Sequence, residues 1–161
     1  MSETATLPLW TPIRRFFMST PRRTFILYPL LVIVFEFAVY RQLTVAWWGF
    51  PFLVWGYLQY KFTGAFRQGI AKGTGMTTMP EKLVEHGLYS YIRNPMYLGH
   101  LIFLFGLVLT TQSWLALIIL IGNAVWFHRR VLRDEARLLE AFGEPYEEYM
   151  SRVKRWIPGV Y

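Results

Sequence analysis

Four apolar segments, approximately Thr24 to Tyr40, Leu43 to Phe62, Met96 to Thr111 and Ser113 to Phe127, restrict what this chain can fold into. A bilayer-spanning helix takes about 17–25 residues at a rise of about 1.5 Å each. The last two segments are short by that rule, and cross with snorkelling ends such as Arg129 and Arg130 or with local thinning of the bilayer. Gln112 and its neighbours separate them, which predicts a tight helical hairpin. The expectation is one domain over residues 1–161, an all-α integral membrane bundle of about four spans with a C-terminal cytoplasmic helix.

Composition agrees: 54% hydrophobic and 19% aromatic residues exceed an ordinary soluble domain and exclude a disordered chain. The net charge of +7 suits either nucleic acid or an anionic membrane surface, and the apolar runs decide for membrane lipids. No arginine stripe or stacking platform suggests a nucleic-acid partner. Without cysteine there is no disulfide framework, thiolate nucleophile or thiolate metal site. The apolar stretch after Arg23 ends at Tyr40-Arg41 without a small-residue cleavage site, so it reads as a retained anchor.

Lys and Arg set the orientation, because cytoplasmic loops carry their excess. Counted with their flanks, the five regions outside the spans hold 4, 1, 5, 0 and 7 of them. Both termini and the middle loop, Thr63 to Asn94, are therefore expected on the cytoplasmic side. That loop begins glycine-rich, as a flexible linker. Its Gly73-Thr74-Gly75 step is no nucleotide fingerprint, since no strand precedes it. Beyond the fourth segment, Val131, Leu132, Ala136, Leu138, Leu139 and Phe142 recur at helical spacing, and Gly143 and Pro145 end that helix.

Two places bear chemistry. Proline disfavours α conformation in the residue before it and suits the first turn of a helix, so Asn94 is expected extended and the third helix starts at Pro95. A helix N-terminus offers partial positive charge and free N–H groups, and Arg93 adds a full charge, making an anion site. The same residues equally serve as a plain helix start with an anchoring cation. The second place is Asp134-Glu135 behind Arg129, Arg130 and Arg133. Arg130 and Asp134 stand four apart on one helix face, an arrangement that a merely solvated helix also uses. His86 and His100 pair with no carboxylate at metal-ligand spacing, so no metal is expected. His128 reads as an interface residue. Glu36 is an ionisable group inside an apolar segment, costly there unless it faces a polar interior or lies at the boundary.

"GLYSYIRNPMYLG" followed by "DEARLLEAFGEPYEEY" resembles the two ordered motifs of the isoprenylcysteine carboxyl methyltransferase and phospholipid methyltransferase family. The resemblance covers Glu81 to about Pro158. It implies an S-adenosylmethionine-dependent membrane methyltransferase acting on a lipid-like or small hydrophobic acceptor, such as an isoprenylcysteine carboxylate or a phospholipid amine, at the cytoplasmic face. It places Leu83, Val84, Tyr89, Asn94, Pro95, Tyr97, Asp134 and Glu135 around the cofactor and gives Arg130 a substrate-facing role, beside Arg93 as the anion-holding cation. Asn94 stands where the family more often has histidine, and Asp134 replaces a glutamate. Two other readings stay open: an NADPH-dependent membrane reductase of sterol-reductase type, which has a similar Arg-His-Pro-x-Tyr element, and a non-catalytic scaffold whose motifs only hold helix ends.

Overall fold

The computed structural model describes residues 19–71 and 82–157. Arg14, Arg15, Lys72, the Gly73-Thr74-Gly75 step and both chain ends, on which part of the charge argument rests, lie outside them. Within the described residues the fold is all-α, with helices α1 Thr20–Tyr40, α2 Phe50–Ala71, α3 Pro95–Thr111, α4 Trp114–Phe142 and α5 Glu144–Arg152. An isolated parallel bridge joins Ile92 to Lys154.

α1 contains one π turn, Arg23–Leu27, in which the Tyr28 N–H reaches back to the Arg23 carbonyl. The helix stops at Arg41, in the left-handed region at φ 57°. The expected second span begins too early at Leu43. Residues 43–46 are not helical, a 3-10 turn occupies Trp47–Gly49, and α2 starts at Phe50. Pro51 explains this, because proline is tolerated in a first helical turn and breaks an interior one. Upstream of it, the Ala46 N–H donates to the Thr110 carbonyl at 2.8 Å, tying the connection to the end of α3.

The other end of α2 also departs from expectation: the glycine-rich start of the middle loop is helix as far as Ala71, not flexible linker. Gly64 and Gly69 cost about 1 kcal/mol each against alanine, but extending an existing helix adds a hydrogen bond per residue, whereas starting one is unfavourable. α3 begins at Pro95 as expected, although Asn94 is only half extended (φ −125°, ψ 51°). The hairpin is as tight as the sequence implied: Gln112 is left-handed at φ 52° and the Ser113 hydroxyl accepts from the Ala116 N–H. The expected fourth span and C-terminal cytoplasmic helix are one continuous helix, α4. α5 follows after Gly143 turns at φ 60°.

α2 and α3 lie backbone to backbone. A Cβ on Gly99 would come 2.9 Å from the Gly56 carbonyl oxygen, and one on Gly106 would come 2.6 Å from the Leu53 nitrogen. Small residues that let backbones approach are the usual glue of membrane helix pairs. α1 and α4 add Val32 and Ala116 to Leu104 and Leu107 in the mid-bundle core. α1 and α4 are long and apolar enough to cross a membrane, and only 17% of either apolar window is buried within the fold. Apolar residues exposed in bulk, including Leu30, Val34 and Phe37 on α1, identify a lipid-facing surface rather than the core helix of a soluble protein. Trp47, Trp48 and Trp114 stand exposed at the far end of the bundle, as an interfacial belt requires.

Candidate functional site

The start of α3, the polar end of α4 and the segment from α5 to residue 157 meet at the near end of the bundle. A cleft of about 630 Å³, counting its open mouth, lies among Arg67, Leu83, Val84, Tyr89, Arg93, Asn94, Met96, Tyr97, Asp134, Leu138, Tyr146 and Tyr149. Residues from both sequence motifs thus face one space. Pro95, Glu135 and Arg130 are not among its lining. Pro95 is buried, and its carbonyl accepts from Gln59 Nε2 at 3.0 Å.

Glu135 sits behind the cleft wall, 5% exposed, at the centre of a charge cluster. Arg93 grips it with two nearly parallel bonds, Nε to Oε1 at 3.1 Å and Nη2 to Oε2 at 3.2 Å. Asn94 Nδ2 donates to Oε1 at 3.0 Å and Arg155 Nε to Oε2 at 3.0 Å. Arg93 Nη1 also donates to the Met150 and Val153 carbonyls, at 2.9 and 2.8 Å. Here the expected roles change. The Arg93 guanidinium is committed to protein acceptors, and the Glu135 carboxylate is enclosed by protein donors, so neither is poised to hold a ligand by charge. Their partnership instead straps the C-terminal segment across the start of α3. The Arg93 N–H to Lys154 carbonyl bond at 2.9 Å and the Tyr149 hydroxyl to Tyr89 carbonyl bond at 2.7 Å complete the strap.

Asp134 is different. Its side chain is 23% exposed toward the cleft and accepts from the Tyr97 hydroxyl at 2.7 Å. Arg130 stands 3.6 Å from the same carboxylate and donates Nε to the Tyr97 oxygen at 2.9 Å. These contacts orient Asp134 and leave carboxylate lone pairs for a ligand. Burial raises the Tyr89 phenol to about 12, against a lowering pull from Arg67, and burial likewise raises those of Tyr146 and Tyr149. All three stay neutral at physiological pH. The cleft is therefore walled by aromatic and apolar side chains, with Arg67, Arg93 and Asn94 beside one oriented carboxylate, Asp134.

Sequence reasoning did not single out Arg67, Met96, Leu138, Tyr146 or Tyr149 as site residues. The two tyrosines stand in the second motif, so their signal was present. Arg67 offered only a charge, and reaches the cleft because α2 continues past Phe62. His128 does serve an interface, accepting from Trp156 Nε1 at 3.4 Å. Glu36 is buried.

The family model for phospholipid methyltransferase matches residues 37–144. This chain belongs to the phospholipid methyltransferase family. Proteins similar to it include several named protein-S-isoprenylcysteine O-methyltransferase. One from Schizosaccharomyces pombe is 33% identical over 78 residues, 47% of this chain and 33% of the relative. One from Saccharomyces cerevisiae is 37% identical over 80 residues, 48% and 33%. One from Dictyostelium discoideum is 32% identical over 81 residues, 49% and 34%. The matches thus span about a third of these curated relatives' length. Membership of this family argues against a sterol-type reductase and against a scaffold.

Proposed function

We propose that the chain is an S-adenosylmethionine-dependent methyltransferase of four membrane spans, transferring a methyl group to a lipid-like acceptor of the isoprenylcysteine carboxylate type at the cytoplasmic face. The observation that carries this reading is the cleft itself, where residues of both family motifs converge around Asp134. S-adenosylmethionine has an ammonium, ribose hydroxyls and an adenine to satisfy. Asp134 suits the first two as an acceptor, Tyr89, Tyr97, Tyr146 and Tyr149 offer rings for stacking and cation–π contact, and Leu83, Val84 and Leu138 give an apolar wall. The cofactor's carboxylate fits near Arg67 and the N-terminus of α3, where the Met96 and Tyr97 N–H groups have no intrahelical acceptor. Bound, the cofactor supplies an electrophilic methyl group for in-line displacement without a covalent enzyme intermediate.

The protein's work is then alignment and exclusion of water, for which effective molarities reach about 10⁵–10⁸ M. Tyr97 and Arg130 fix the Asp134 carboxylate, while Arg93 and Glu135 hold the C-terminal segment against the start of α3. Arg130, beside the cleft rather than in it, is suited to an anionic acceptor, which favours a carboxylate over an uncharged amine. The test is calorimetry of purified protein with S-adenosylmethionine, followed by transfer of an isotopically labelled methyl group to a prenylated cysteine. Arg130→Ala depresses turnover at least tenfold and weakens cofactor binding less than Asp134→Ala does. No cofactor binding, or binding of NADPH instead, would refute the proposal.

A further inference from the structure

Trp126, Arg130, Asp134 and Leu138 recur at intervals of four along α4 and form one strip, running about 18 Å from the cleft toward the apolar end of the helix. At the top of the strip two cations share one ring. The Arg130 guanidinium carbon lies 5.5 Å from the centroid of Trp126, and that of Arg23 lies 5.2 Å from the same centroid. Arg23 comes from α1, far in sequence, and opens the π turn Arg23–Leu27. Wide turns of this kind inside α-helices are frequent at functional sites. The residues after it are drawn inward: Thr24 is fully buried, and Phe25 stacks on His100 at 4.8 Å.

Arg130 has its anion in Asp134, whereas among the described residues Arg23 forms no ion pair, and its Nε is buried without a hydrogen-bond partner. Two guanidiniums with one carboxylate leave the group a net positive charge. A buried donor of a charged side chain is costly when unmet, so the geometry calls for an anionic acceptor group. Trp126 is held for this task by Phe127, edge to face at 5.1 Å, and Phe127 packs on Tyr97 at 5.2 Å. The indole is thereby fixed relative to the cleft.

We propose that Arg23 is a specificity-determining residue which, with Arg130 across Trp126, binds the anionic head of an amphiphile, a carboxylate or a phosphate, at the membrane side of the cleft. This rests on the methyltransferase reading for its consequence, the choice of acceptor, but its test is a binding measurement without turnover. Full-length protein in phosphatidylcholine nanodiscs is titrated with a farnesyl thioether ending in a carboxylate and with the same thioether ending in a carboxamide. The native protein binds the carboxylate at least about tenfold more tightly, the size of one charge-assisted hydrogen bond. Arg23→Gln lowers that preference about tenfold and leaves carboxamide affinity in place, which also reports an intact fold, while Arg23→Lys retains most of the preference. An Arg23→Gln protein with the native preference overturns the proposal, as does equal loss of both ligands, which would make Arg23 a packing residue. Repeating the titration in phosphatidylglycerol nanodiscs separates the sources: a preference that disappears there identifies the bilayer phosphate as the occupant, and one that persists identifies the acceptor's own head. Cofactor binding, measured separately by calorimetry, keeps a failure of the methyltransferase reading distinct from a failure of this one.

Discussion

Asp134 and Glu135 are neighbours in sequence with the same charge, yet their surroundings assign them opposite tasks. Asp134→Ala removes an oriented, partly exposed acceptor and lowers S-adenosylmethionine affinity by about 1.5–3 kcal/mol while the melting temperature moves little. Glu135→Ala leaves Arg93 and Arg155 facing each other without their shared anion. Breaking a buried ion pair by removing one partner costs about 3–5 kcal/mol, so this variant loses stability and its α5 and 153–157 amides exchange faster. Thermal unfolding with hydrogen exchange on both variants checks the contrast, and identical profiles would contradict it. The family resemblance placed both carboxylates around the cofactor. Glu135's burial was not legible because its partners stand 42 and 20 residues away, whereas the local pairs that sequence displays are three or four residues apart. The start of α3 was legible, since Pro95 acts on its own backbone and needs no distant partner.

Boundaries between elements followed the same division. Pro51 and Pro95 both mark a first turn, and the second segment was begun too early only because hydropathy outweighed the proline. The join between the fourth span and the helix beyond it was not legible as continuous, because hydropathy changes at Phe127 while no helix breaker stands between there and Gly143. Helix–helix contact leaves a fainter trace, since a glycine in an apolar segment does not announce which backbone it meets. Gly99→Ala and Gly106→Ala force α3 away from α2 and lose about 1–3 kcal/mol each, as overpacking does. Gly122→Ala on α4 meets nothing within 4 Å and gains up to about 1 kcal/mol from helix propensity. Unfolding of the three variants in one detergent reads the difference, and a uniform response would show that the α2–α3 contact does not decide stability. Pro95→Ala acts at the same scale: it loosens the first turn of α3 and weakens cofactor binding more than membrane insertion, measured by calorimetry against membrane-fraction yield.

Across the whole molecule, the polar and apolar ends are separated in a way that decides how an acceptor arrives. Asp134, Arg130 and the strap gather at one end, while α1 presents Ile26, Leu30, Leu31, Ile33, Val34 and Phe37 outward along its length. A tail that stays among such residues and lipid keeps about 0.8 kcal/mol per buried CH₂, so extraction of a farnesyl-sized chain into water would cost many kcal/mol before any chemistry. Sideways access from the leaflet beside the cleft avoids that cost, and the Trp126–Arg130–Asp134 strip leads from the apolar region toward the cleft. Turnover should therefore rise with tail length: a prenylated cysteine outperforms its tail-less counterpart by at least about a hundredfold in kcat/KM, with most of the difference in KM. Reporter fusions at both chain ends should accompany the measurement, because a cytoplasmic cleft requires α1 and α4 to place their basic ends on that side. Equal turnover of tailed and tail-less acceptors would mean that the acceptor comes from bulk water, and would turn the reading toward a small-molecule methyltransferase that uses the bilayer only as an anchor.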